Sequence, residues 1–169
     1  MKRDEIKIIS GAQTGVDQGA LQTAIDLGLE WGGSVPKGWR TENGTVGAVF
    51  RPKMTELASS NYLVRTRQNV LGAHATLILT QSYPLSGGTL KTRFFCEEAM
   101  RSHFVVSFGE ADAVAKVRTW LGQFFAAPRT TPFVLNVAGP RESKASGIQK
   151  QTRRFLAEVL SGMLEGDKE

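Results

Sequence analysis

The sequence is poor in the residues that build metal and disulfide scaffolds. Its 169 residues include one cysteine, Cys96, and two histidines, His74 and His103. One thiol cannot form an internal disulfide framework, and so few soft ligands cannot make a zinc cluster. No metal bound directly by the protein is therefore expected. Long apolar runs are also missing, since none approaches the roughly 20 residues needed to cross a bilayer. The opening "MKRDEIKIIS" is charged, with no extended apolar core and no small-residue cleavage site, so it does not read as a secretory signal. These absences together point to a reduced, cytoplasmic protein with no membrane partner.

What is present suits a globular chain. Hydrophobic residues make up 41% and charged residues 22%, ordinary values for a protein with a packed core. No repeat, low-complexity tract or linker divides the chain, so residues 1–169 read as one domain. A net charge of +5 and a pI near 9.6 favour an anionic partner. The basic residues are scattered from Lys2 to Lys168, however, and charge alone does not choose between nucleic acid and a small anion.

Five runs read as strands: Ile6–Ser10, a weaker one at Gly33–Val35, Thr76–Thr80, Phe104–Phe108 and Phe133–Val137. They are short and mostly β-branched or aromatic, as strands covered on both faces should be. Helical periodicity lies between them. Val16, Ala20, Leu21, Ala24 and Ile25 form one stripe, ended by Gly28. Leu63, Thr66 and Val70 suggest a second helix, and Leu90, Phe94 and Glu98 a third. Val114, Val117, Leu121, Phe124 and Phe125 mark a fourth, stopped before Pro128. Ile148, Thr152, Phe155, Leu156, Val159 and Met163 mark the last. This alternation predicts an α/β fold, a mostly parallel sheet with helices on both faces. Leu29–Ser59 shows little regular pattern; its tryptophans, Trp31 and Trp39, predict an ordered rim.

Eighteen glycines exceed the average share for this length, and their positions matter. Three glycine-bearing turns, Ser10–Asp17, Tyr83–Thr92 and Asn136–Gly147, each follow a strand and open a helix. The carboxyl ends of strands are where open α/β sheets bind ligands. Glycine permits close backbone approach, and helix N-termini offer free N–H groups to an oxyanion. The same residues also have a structural reading. Thr14 with Asp17, and Ser146 with Gln149, fit capping boxes, and Thr89 fits an N-cap. None of the turns matches a dinucleotide fingerprint or a P-loop.

Taken together, "ISGAQTGVDQGAL", "PKGWRTENG", "YLVRTRQNV", "ATLIL", "PLSGGT" and "LNVAGPRES" resemble the molybdenum carrier proteins. Those are circularly permuted relatives of YpsA within the SLOG, or lysine-decarboxylase-like, class of nucleotide-ligand-binding domains. The resemblance spans residues 6 to 157 and is most specific in the first and last segments. It implies a Rossmann-like domain, a homo-oligomer, and a pocket over the strand ends for molybdenum cofactor or a nucleotide-like ligand. The family pattern falls on Gly11, Gln13, Thr14, Gly15 and Asp17, then on Pro36, Lys37, Gly38, Arg40, Glu42 and Gly44. It continues through Arg65, Thr66 and Asn69, then Gly87, Gly88 and Thr89. It ends on Asn136, Gly139, Pro140, Arg141, Glu142 and Ser143.

Arg65 and Asn69, four apart, share a helix face. The planar forks of Arg40, Arg65 and Arg141 suit phosphate or molybdate oxygens. Gln13 and Asn136 carry the donor and acceptor groups needed to read the edge of a pterin or purine. This chain departs from the family at Ser34–Val35–Pro36, where a Trp-Cys-Pro is expected, at Gly72–Ala73–His74, where acidic residues are expected, and at Trp39, where a basic residue is expected. The expected function is binding of a phosphate-bearing heterocycle. A nucleoside-monophosphate phosphoribohydrolase stays open, with Asp17, Glu42 or Glu142 as its carboxylate. Single-strand nucleic-acid binding is disfavoured, because no basic and aromatic residues interleave as a stacking platform.

Cys96 reads as a small core residue, and the two histidines as solvated strand ends. Arg141–Glu142 reads as a local ion pair if it is not part of the pocket.

Overall fold

The β-rich runs and the amphipathic segments between them fold as alternating strands and helices in a computed structural model describing residues 1–127 and 129–164. In chain order these are β1 (Ile6–Ile9), α1 (Val16–Asp26), β2 (Glu30–Val35), β3 (Arg40–Thr41), β4 (Gly44–Thr45) and β5 (Met54–Glu56). Then come α2 (Tyr62–Leu71), β6 (Ala75–Thr80), α3 (Gly87–Glu98), β7 (Ser102–Ser107), α4 (Ala113–Gly122), β8 (Phe133–Ala138) and α5 (Ile148–Ser161). Six strands pair in the order β5-β2-β1-β8-β6-β7, all parallel, and β3 and β4 form a small antiparallel hairpin apart from them.

Right-handed crossovers put connections that move in opposite directions along the sheet on opposite faces. The helix packing agrees: α1 and α4 both contact α5, while α2 contacts α3. From β1 the chain moves toward β2 and β5, whereas from β6 it moves toward β7. The strand ends of β1, β8 and β6 therefore flank a crevice where the connections part. The inner strands are buried on both faces, all six residues of β6 among them, as the apolar runs predict.

Several expectations change in detail. The rim at Leu29–Ser59 is more regular than its sequence suggests: β2 begins at Glu30, and β5 and the hairpin lie within it. Gly33 ↔ Met54 pairing closes the sheet edge, a long-range contact that local periodicity cannot reveal. α3 turns Thr89, Thr92 and Cys96 toward the sheet and leaves Phe94 and Glu98 exposed, the reverse of the apolar stripe. α2 likewise buries Arg65, Asn69 and Val70, while Leu63 stays exposed. In both helices small or hydrogen-bonding side chains take the inward face because polar partners await them there. Phe124 and Phe125 lie in a 3-10 turn after α4 and join an aromatic cluster with Trp120 and Phe133. Pro128 lies outside the described residues. Cys96 is buried and, as burial implies, its thiol is pushed up from its usual range. His74 is not simply a solvated end; its ring stacks on Phe133 and accepts the Val134 amide.

Candidate binding cavity

All three glycine-bearing turns reach one cavity of about 440 Å³, within the size range of small-molecule sites. Gly11, Gln13 and Asp17 contribute from the first turn, Ser86–Thr89 from the second and Asn136–Arg141 from the third. α2 adds a wall of Tyr62, Arg65, Thr66 and Asn69, spaced to lie on one helical face. Three basic side chains, Arg65, Arg141 and Lys144, line it against one carboxylate, Asp17. The lining therefore favours an anion.

The floor is built around a buried ion pair. Arg65 Nη1 donates to Asp17 Oδ2 at 2.8 Å, with side chains 10% and 8% exposed. The Gln13 amide donates to the same oxygen at 3.3 Å. Burial pushes the Asp17 carboxyl above its usual range, although Arg65 and the Gln13 amide pull it back. Gly11 makes the pair possible: a Cβ there would overlap the Arg65 guanidinium. Arg65 Nε is buried without a partner among the described residues.

The three helix starts, alike in sequence, differ in what their amides do. At α1 the Gly15 amide donates to Gln149 Oε1 at 3.2 Å and the Val16 amide to the Pro140 carbonyl at 3.2 Å. At α5 the Glu142 carboxylate accepts the Gly147 and Gln149 amides, the latter at 3.0 Å. Both starts are thus occupied by the protein itself, and the expectation that all three offer free amides fails. At α3 no group among the described residues accepts from the Gly87, Gly88 or Thr89 amide, the side chain of the N-cap Ser86 makes no capping bond, and a Cβ on Gly87 or Gly88 would meet open space. The expected caps also shift. α1 starts after Gly15 rather than on Thr14, because Asp17 is drawn to Arg65; α5 starts after Gly147 rather than on Ser146; Thr89 lies inside α3.

A second polar cluster adjoins the cavity. Glu42 accepts from Thr14 Oγ1, from the Ser143 hydroxyl and from the Ser143 amide, and Arg141 Nε approaches it at 3.7 Å. Burial alone would raise its carboxyl, but these donors hold it below its usual range. The Glu42 amide in turn donates to Gln13 Oε1 at 2.9 Å. The network ties the β3–β4 hairpin to the first and third turns.

The structure therefore sorts the residues marked in the sequence. Gly11, Gln13, Asp17, Arg65, Asn69, Gly87, Gly88, Thr89, Asn136, Gly139 and Arg141 line the cavity. Thr14, Glu42, Glu142 and Ser143 serve the loop network instead, and Arg141 pairs with Glu42 rather than with Glu142. Gly15, whose φ is +84°, packs against Pro140 and Arg141. Lys37 is exposed outside the cavity, and Arg40 lies over the Tyr62 ring, 5.8 Å from its centroid. Asn69 touches the cavity, but its amide is committed to Ser34, accepting from the backbone N–H at 2.8 Å and donating to the carbonyl at 3.1 Å. Among the described residues Gln13 Nε2 and Asn136 Oδ1 have no hydrogen-bond partner, one donor and one acceptor on residues that line the cavity. Sequence reading missed Tyr62 and Lys144; the i, i+3 spacing of Tyr62 and Arg65 is the signal for the former.

The family model for the circularly permutated YpsA SLOG family matches residues 8–160. The chain belongs to this family. A crystal structure named "Putative molybdenum carrier protein", from Syntrophus aciditrophicus SB, is 34% identical and superposes with a TM-score of 0.85, covering 95% of this chain and 98% of that one. No curated protein matches the chain. The Rossmann-like α/β fold and the molybdenum-carrier resemblance read from the sequence both hold. No helix among the described residues is long and apolar enough to cross a membrane, and none of their His, Cys, Asp and Glu side chains form a group of three that could hold a metal ion.

Proposed function

We propose that this cpYpsA-family protein is a carrier that binds a phosphate-bearing aromatic heterocycle in the cavity over β1, β8 and β6. One observation carries the reading: of the three glycine-bearing helix starts, only that of α3 has amides without acceptors among the described residues, and it opens into the cavity that holds Arg65. Its dipole and three N–H groups would bind the phosphate. Arg65, Arg141 and Lys144 would neutralise its charge, and Gln13 Nε2 and Asn136 Oδ1 would meet the edge of the ring.

The name of the similar solved protein supports molybdenum as cargo, and the molybdenum cofactor, a phosphorylated pterin, would present that metal with a phosphate and a ring. A nucleotide has the same phosphate and ring chemistry. The carrier reading is favoured over a phosphoribohydrolase because Glu42 and Glu142 are committed to the loop network, and the one carboxylate at the cavity, Asp17, is bound to Arg65. A single buried cysteine, with no intrachain disulfide to form, supports a cytoplasmic setting. The exposed Val64, Leu71, Phe94 and Met100 on the α2–α3 side support assembly into a homo-oligomer.

Native mass spectrometry of freshly purified protein tests the reading. The expected spectrum is an oligomer whose subunits carry a small molecule that, released by denaturation, contains phosphate and absorbs as an aromatic ring. Bare polypeptide that also fails to bind AMP, a phosphorylated pterin and inorganic phosphate in titrations would overturn it.

A further inference from the structure

We infer that Tyr62 is the stacking surface for the ligand's ring, and so the residue that selects an aromatic heterocycle over any other phosphate ester. The inference rests on the binding function proposed above and adds the chemistry that recognises the ring.

Tyr62 is the one aromatic side chain among the residues lining the cavity. It opens α2, one helical turn before Arg65, so both project from the same wall. Two guanidinium groups lie near the ring. Arg65 lies 5.9 Å from its centroid, reaching from the buried pair with Asp17, and Arg40 lies 5.8 Å away, reaching from β3. Each cation is within range of a favourable contact with the ring quadrupole. The ring is half-buried.

A plane fixed in this way presents an aromatic face without the entropy cost of ordering a mobile side chain. It also gives Arg40 a role outside direct anion contact, as a positioning residue that braces Tyr62. The helix N-terminus recognises phosphate whatever is attached to it; Tyr62 supplies the discrimination the amides lack.

Titrations of AMP, a phosphorylated pterin and ribose 5-phosphate into wild type, Tyr62→Leu and Tyr62→Phe test the inference. Removing a stacking aromatic weakens base binding by about 1–3 kcal/mol, roughly 5- to 150-fold. Tyr62→Leu should therefore lose at least about fivefold in affinity for the two ring-bearing ligands, while ribose 5-phosphate binds as it does to wild type. Tyr62→Phe should restore ring binding to within about threefold. Which ring ligand binds wild type more tightly tells pterin from nucleotide. Ring ligands that bind Tyr62→Leu with full affinity overturn the inference and leave the binding function standing. Equal loss for ribose 5-phosphate also overturns it, by making Tyr62 structural. If no probe binds wild type, the binding function itself falls.

Discussion

Asp17 and Arg65 meet at 2.8 Å beneath the cavity, from helices on opposite faces of the sheet, through a gap left open by Gly11. Both side chains are about nine-tenths buried, 10% and 8% exposed, so the pair fixes α2 against the first turn while costing desolvation of two charges. Removing one partner is expected to be worse than removing both. Asp17→Ala strands a buried guanidinium and should cost about 3–5 kcal/mol. The double variant Asp17→Ala/Arg65→Met should lose clearly less than the sum of the single losses. Urea unfolding midpoints of the four proteins measure the coupling, and additive losses would show that the pair has no energetic reality.

The glycines at the start of α3 separate stability from binding. Gly88 lies within the helix with a Cβ direction that is clear of other atoms. Gly88→Ala should therefore stabilise the protein by a few tenths up to about 1 kcal/mol, as glycine-to-alanine changes in helices do. The new methyl would stand where the ligand approaches the amides, and AMP or phosphate affinity should drop by about tenfold, or 1.4 kcal/mol. Thermal melts and titrations read the two effects independently. Unchanged affinity would mean that the seat lies elsewhere.

This divergence between sequence-similar turns marks the limit of what the chain discloses by itself. The alternation of strands and helices, and the convergence of Gly11, Gly88 and Gly139 on one rim, follow from local periodicity and the rules of parallel sheets. Which amides stay free does not, because the groups that occupy them are not the local capping residues. At α1 they come from far away in sequence: Gln149 reaches Gly15 across 134 positions. At α5 the acceptor is Glu142, five residues before Gly147, rather than the Ser146 side chain. The inward faces of α2 and α3 mislead for a related reason: hydrophobic periodicity assumes an apolar neighbour, and both helices face a polar cavity instead.

A second latch supports the loop that delivers α3. Tyr83 Oη donates to Glu110 Oε1 at 2.7 Å, the Ser107 amide donates to the same oxygen at 2.9 Å, and Lys116 Nζ approaches Oε2 at 3.0 Å. The Ser107 amide, Tyr83 and Lys116 hold Glu110 down to about 2, and burial and the acceptor carboxylate push Tyr83 up to about 12. For a carboxylate lowered in the folded state, the stability it adds is complete above its ordinary value near 4.5 and is lost as pH falls toward 2. Glu110→Gln should therefore flatten the acid limb of the melting temperature between those values. Tyr83→Phe should raise the Glu110 midpoint, measured by carboxyl chemical shifts.

At the opposite end of the sheet, His74 extends the β6–β8 ladder by one rung in an unusual way. Its amide donates to the Val134 carbonyl at 2.9 Å, while its ring Nδ1, not its backbone, accepts the Val134 amide at 2.8 Å. The ring stacks on Phe133 with centroids 5.4 Å apart. Only a ring with Nδ1 deprotonated can accept, and desolvation, followed by the charges of Arg129 and Arg101, lowers its affinity for a proton below the ordinary value of 6.5. The unfolded chain then takes up the proton first as pH drops. Stability should be complete above about pH 7 and should decline as pH falls through 6.5 toward the lowered folded value. His74→Phe keeps a stacking ring but loses the acceptor, so at pH 8 it should be less stable by about 1 kcal/mol, the worth of one hydrogen bond. Between pH 7.5 and 5.5 its stability should change less than that of wild type, so the two curves approach each other on acidification. Denaturation midpoints across that range decide the matter. Parallel curves would mean that the Val134 amide does not depend on the neutral ring.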